Sequence, residues 1–144
     1  MRRIFIALAI LLALGNTAEA KNYITLESPS GNTIVDETGK WILGPYKDLH
    51  VNYIIDFGEN YAYASFYDNG QKRYVNLKNM AYLPAGYDYE FSYEYAKALT
   101  KGGFKLVKSD GTYAINDVVS AYNYCSDNLI YGKKGEFWYL YNLS

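Results

Sequence analysis

Val35-Asp36-Glu37-Thr38-Gly39-Lys40-Trp41-Ile42-Leu43-Gly44-Pro45-Tyr46-Lys47-Asp48 is the stretch that decides how the rest of the chain is read. Glu37-Thr38-Gly39 makes a turn between two runs that suit strands, Thr33-Ile34-Val35 before it and Trp41-Ile42-Leu43 after it. β-Branched and aromatic residues fit a pleated surface, and glycine supplies the positive φ of a tight turn. Pro45 cannot donate to a ladder, so it marks a strand end or an edge. The stretch reads as a hairpin.

Weaker copies recur downstream. Tyr74-Val75-Asn76 takes the part of Ile34-Val35-Asp36, Lys78-Asn79 is the turn, and Ala81-Tyr82-Leu83-Pro84 to Asp88 answers Trp41 to Asp48. Phe57, Tyr61, Ala62 and Ala64 are matched, all at one offset, by Phe91, Tyr95, Ala96 and Ala98. Ile34, Val35, Gly39, Trp41 and Leu43 are matched, at about twice that offset, by Leu106, Val107, Gly111, Tyr113 and Ile115. Ser126 to Tyr131 and Lys133 to Leu140 supply a further turn-linked pair. Asn69-Gly70, between Tyr61 to Tyr67 and Lys72 to Leu77, is a strong short-range hairpin signal. The expectation is an all-β domain of antiparallel hairpins in about three tandem units of roughly 35 residues, a period typical of repeat architectures, with the first and last units capping the array.

One segment reads two ways. Tyr87 to Tyr95 alternates aromatic and polar residues, as a half-buried strand does. Phe91, Tyr95 and Leu99 also fall at helical spacing, with Gly102-Gly103 placed to cap a helix. A strand is favoured by the repeat pattern, and one short helix near 92–100 is the alternative.

The chain begins as an exported protein does. Met1-Arg2-Arg3 is basic, Ile4 to Leu14 is apolar, and Ala18-Glu19-Ala20 places small residues for cleavage before Lys21. The apolar run is too short to span a bilayer, which takes about 20 residues. Residues 1–20 are therefore expected to be a signal peptide and 21–144 a single domain outside the cytoplasm, secreted or periplasmic. The expected contact with a membrane is through that leader before cleavage.

The full chain carries 14 basic and 15 acidic residues. Without Arg2, Arg3 and Glu19 the balance is 12 against 14, a net charge of −2. A weakly acidic domain without a basic run gives no electrostatic reason to expect nucleic acid or anionic lipid as a partner. Cys125 is the single cysteine, so no intramolecular disulfide can staple the fold. Packing must hold it, with 18 tyrosines as the main material, and Cys125 is expected to be a small buried hydrophobe.

At this point the residues resemble a family. Thr33 to Asp48, then Phe57-Gly58-Glu59-Asn60-Tyr61-Ala62, then Asn69-Gly70-Gln71-Lys72-Arg73-Tyr74-Val75-Asn76 are similar to the patterns of the mostly bacterial WG-repeat proteins. The resemblance runs from Thr33 to Asn142. It departs from the family at the Trp-Gly dipeptide itself, replaced by Trp41-Ile42, Lys72-Arg73, Tyr113-Ala114 and Phe137-Trp138. The resemblance implies an all-β repeat with a binding or interaction role, and it carries no catalytic residues.

Chemistry finds little footing in the sequence. His50 is the only histidine, and one His with one Cys cannot make a zinc site. Asp68-Asn69-Gly70 and Ser109-Asp110-Gly111 are oxygen-rich but lack a calcium-loop spacing and read as turns. Asp88, Glu90 and Glu94 fall on one face of the proposed aromatic strand, where a retaining glycosidase would need two carboxyls about 5–5.5 Å apart in a cleft. Alternating acids on a solvated face are the simpler reading. The expectation is a non-enzyme without cofactor or metal, binding a protein or a cell-surface glycan. Exposed aromatics would carry that binding, with Tyr87, Tyr89, Tyr93 and Trp138 as candidate contacts.

Overall fold

The computed structural model describes residues 22–56, 59–92 and 95–144, leaving aside the side chains of residues 54–61. The expected leader and the candidate contact Tyr93 lie outside these residues, as does Phe57-Gly58. Fourteen strands make four antiparallel meanders in chain order. The first sheet is β1 (Tyr23–Leu26), β2 (Asn32–Asp36) and β3 (Trp41–Tyr46). The second is β4 (His50–Asp56), β5 (Glu59–Asp68), β6 (Gln71–Asn76) and β7 (Ala81–Tyr82). The third is β8 (Tyr89–Phe91), β9 (Tyr95–Thr100), β10 (Gly103–Lys108) and β11 (Tyr113–Val119). The fourth is β12 (Ala121–Ser126), β13 (Leu129–Lys134) and β14 (Phe137–Asn142). The fold is all-β and antiparallel. Residues 95–100 take the strand, not the helix, because Ala96 and Ala98 must point together into one core while Tyr95 points into another.

The hairpins group into four sheets, close to the three or so units expected, and Tyr23–Leu26 joins the first of them as a third strand. Register shows how closely they correspond. Val35 pairs with Trp41 and Ile34 with Leu43, with one extra residue bulged between them. In the third sheet Val107 pairs with Tyr113 and Leu106 with Ile115, with the same bulge. The turns match too: Asp36 N–H donates to Lys40 O at 2.9 Å, and Lys108 N–H to Thr112 O at 2.8 Å. Pairing also corrects one equivalence. Ala64 lies opposite Val75 and Ala96 opposite Val107, so Ala64 corresponds to Ala96, and matching it with Ala98 slides the strand by two. A slip of two keeps every side chain on its own face, which is why the composition matched.

Three hydrophobic cores hold the sheets in a row, one at each junction. The face a sheet turns to the next in chain order is its forward face, and the opposite one its rear face. Ile34 and Leu43 on the forward face of the first sheet meet Ala62, Ala64, Phe66 and Val75 on the rear of the second. Forward Tyr63, Tyr74 and Leu83 meet Ala96, Ala98 and Val107 on the rear of the third. Forward Phe104, Leu106 and Ile115 meet Ile130 on the rear of the fourth, with Tyr122 and Tyr141 beside it. Alternation along each inner strand feeds both neighbouring cores, so the two inner sheets are buried on both faces.

Few polar groups interrupt these cores. Asn76, nearly inaccessible, donates from Nδ2 to Ser109 O at 3.1 Å and accepts from Lys78 N–H at 2.9 Å. Asn79 also donates to Ser109 O, at 3.0 Å, so the second sheet grips the turn that carries Gly111. Asn69 and Gly70 both have positive φ and form the two-residue turn between Asp68 and Gln71, the geometry for which Asn-Gly is the preferred pair.

Candidate binding surfaces

The aromatic-rich segment builds structure. Tyr89 packs edge-on to Tyr74 with centroids 5.0 Å apart and stacks on Phe91, while its hydroxyl donates to Pro84 O at 2.7 Å. Burial pushes the Tyr89 hydroxyl well above the usual phenol range. Tyr87 and Tyr113 share a hydrogen bond beside Lys105, whose ammonium lies 5.9 Å and 5.3 Å from the two ring centroids. That bond, with Lys105 behind it, lowers Tyr87, whereas burial and then the same bond push Tyr113 up to about 12. Both candidates from the loop, Tyr87 and Tyr89, are thus half-buried against the second core.

The acidic residues beside them are separately engaged. Asp88 accepts from Tyr74 Oη at 3.0 Å and lies 3.3 Å from Lys72 Nζ. The Tyr74 hydrogen bond, then Lys72, hold its carboxyl below the usual range. Glu90 pairs with Lys97 at 3.3 Å. Each carboxylate faces its own cation on an open surface, which is a pattern of surface ion pairs of small energy. Among the described residues no group of three His, Cys, Asp or Glu is placed to hold a metal ion. His50 is exposed at the start of β4.

Trp138 is the expected contact that the fold leaves open. On β14 it lies opposite Lys133, and Leu140 lies opposite Tyr131. Ile130 and Gly132 point back into the third core, so Tyr131, Trp138 and Leu140 stand on the forward face of the fourth sheet, which no other sheet among the described residues covers. The rear face of the first sheet is the mirror case, with Ile24, Leu26 and Trp41 exposed around Val35. The sequence places capping units here, and a cap would carry a polar outer face. Both ends carry apolar side chains instead. Cys125 also differs from expectation: it is exposed, because Tyr122 and Tyr124 lie opposite the core-facing Gly132 and Ile130, and the next residue along the strand falls on the other side.

A shallow groove of about 330 Å³ is lined by Trp41, Lys40 and Ile42 from the first sheet and by Leu77, Lys78 and Met80 from the second. Tyr23, also in its lining, donates from Oη to Leu77 O at 2.9 Å. Asp36 lines the groove but is occupied by its own turn, accepting from Thr38 N–H at 2.9 Å and Lys40 N–H at 3.0 Å.

Comparison with protein-family models, with curated proteins and with solved structures finds no match to this chain in any of the three. Ile24 and Leu26 were missed as candidate contacts. The signal was present: alternating apolar residues in Tyr23-Ile24-Thr25-Leu26.

Proposed function

We propose that this chain is an exported, non-catalytic interaction module built of divergent WG-like β repeats, and that its partner is a protein held on the end faces of the array. The observation that carries this reading is the pair of apolar end faces, Ile24-Leu26-Trp41 at one end and Tyr131-Trp138-Leu140 at the other. Exposed single apolar residues are ordinary, but clustered ones on an otherwise well-buried array mark interaction surfaces. Aromatic residues supply most of the binding energy at such surfaces. A protein partner suits these faces better than a saccharide, because Ile24, Leu26, Tyr131 and Leu140 present apolar side chains on open sheet surfaces.

A second reading rests on the groove at Trp41, whose exposed indole beside Lys40 and Lys78 suits a short acidic glycan. The two are separated by one experiment. The purified domain, a Leu140→Glu variant and a Trp41→Ala variant are tested by capture of extracytoplasmic proteins and on a glycan array. Protein capture lost in Leu140→Glu with an unchanged urea midpoint is the expected result. Glycan binding that survives Leu140→Glu and disappears in Trp41→Ala would replace the first reading with the second.

A further inference from the structure

Register identifies what each end face lacks. Ile24 lies opposite Val35, as Ala64 lies opposite Val75 and Ala96 opposite Val107. Two positions along, Leu26, Phe66 and Ala98 occupy the same rung of the three sheets. The second and third sheets bury these rear positions completely under the sheet that precedes them: Phe66 is 1% exposed, and Ala64, Ala96 and Ala98 are 0%. In the first sheet Ile24 is 43% and Leu26 50% exposed. Trp41 is 61% exposed, while Tyr113, its counterpart in the third sheet, packs into the second core. The rear of the first sheet is therefore a surface whose counterparts are each covered by the forward face of another sheet. The fourth sheet offers a forward face with no sheet to cover: Trp138 is 45% and Leu140 53% exposed.

We propose that copies of this chain stack head to tail, the forward face of the fourth sheet of one copy covering the rear face of the first sheet of the next. This rests on the interaction-module reading and makes the protein partner a second copy of the chain. The contact would repeat, between molecules, the forward-on-rear packing that occurs three times within one. Large side chains at Tyr131, Trp138 and Leu140 would take the place of Tyr63, Tyr74 and Leu83 at the second junction. Ile24, Leu26 and Trp41 would receive them, as Ala96, Ala98 and Tyr113 do there. Such a contact is heterologous, so it grows into open chains unless its rotation closes a ring.

The test uses the chain from Lys21, which contains every core residue. Sedimentation is followed over roughly three decades of concentration, wide enough to bracket micromolar association. Wild type should form species larger than a dimer as concentration rises. Leu26→Lys, on one face, and Leu140→Glu, on the other, should each weaken self-association by roughly thirtyfold, the loss expected for a central interface side chain. Both positions are exposed, so the urea midpoint should stay put at concentrations where wild type is monomeric; Trp138→Glu serves as a second forward-face variant should Leu140→Glu disturb the fold. Mixing the Leu26→Lys and Leu140→Glu chains should restore one good junction and stop at a 1:1 dimer. A dimer that stops growing and is lost in only one of the two variants means face pairs with like face, and overturns head-to-tail stacking. Wild type that stays monomeric throughout overturns the second copy as partner. If that monomer still captures a different protein through Leu140, the interaction-module reading survives; if it captures none, both fail.

Discussion

Gly39 and Gly111 occupy the same place in two equivalent turns, with φ of +81° and +85°, and yet replacing them with alanine should have very different consequences. A Cβ on Gly39 would meet nothing within 4 Å. Gly39→Ala therefore costs only the backbone strain of an L residue in the left-handed region, about 1–2 kcal/mol. A Cβ on Gly111 would lie 2.4 Å from Tyr82 O and 3.4 Å from Tyr82 C. Tyr82 is on β7, so the collision is between backbones of the second and third sheets, and neither side can rotate away. Asn76 and Asn79 hold the same turn through Ser109 O, so relief of the clash strains two further hydrogen bonds. Overpacking of this kind adds about 1–3 kcal/mol. Equilibrium urea unfolding of the two variants and wild type reads the difference directly, because the strain common to both cancels. Gly111→Ala should be the less stable by about 1–3 kcal/mol. A gap smaller than about 0.5 kcal/mol, the scatter of neutral surface changes, would refute the claim that this turn is wedged against its neighbour.

Ile130 is the residue of the fourth sheet fully buried in the third core, and Ile130→Ala should cost about 2–5 kcal/mol by urea unfolding. A cost under about 1 kcal/mol would mean that the fourth sheet is not docked as described. Stability should fall as pH rises from about 10 to about 12. Tyr89, Tyr113 and Tyr141 all have raised hydroxyls, so the folded chain keeps protons that the unfolded chain has already lost. Their contribution is complete below the unfolded value near 10 and disappears as pH climbs through the folded values; urea midpoints that stay level across that window would contradict it. Cys125 is exposed, so a maleimide should label it to completion without denaturant. Labelling that needs urea would return it to the core.

Much of the fold was legible because hairpin chemistry is local. Asn69-Gly70, Gly39 and Gly111 each have the positive φ that their turns require, and Pro45 falls on β3, an edge strand. Repeat number was harder to read. Tyr23-Ile24-Thr25-Leu26 has no local partner signal, and only its pairing to β2 places it in the first sheet. The candidate site was legible in part, for a physical reason. Tyr87, Tyr89 and Trp138 are equally plausible as aromatic contacts when only residue types are known. Which aromatic is covered depends on which sheet follows it, and that is a property of position in the row. Tyr89 meets Tyr74 of the neighbouring sheet, whereas Trp138 meets no other sheet among the described residues. Cys125 was misplaced for a similar reason: it falls between core-facing positions of β12, and which face of that strand is covered depends on the neighbouring sheet.

The same reasoning explains how a disulfide-free chain with an ordinary apolar content remains folded. Each inner sheet contributes small side chains on its rear, such as Ala64, Ala96 and Ala98, which let the preceding sheet approach closely. Its forward face then fills the gap to the following sheet with large ones, Tyr63 and Tyr74 or Phe104 and Leu106. Stability in such an array is a sum over junctions, so the end sheets, with one junction each, are the weakest units. A polar cap would protect them only against association. An apolar end face on a one-junction sheet has a different consequence: covering it with another sheet would add a junction where the array is least stable. Occupation of the end faces and stability of the end sheets are therefore coupled through binding. Amide exchange in β1 and β14 should slow as protein concentration rises if the faces are covered by further copies, while β5 and β10 remain unchanged.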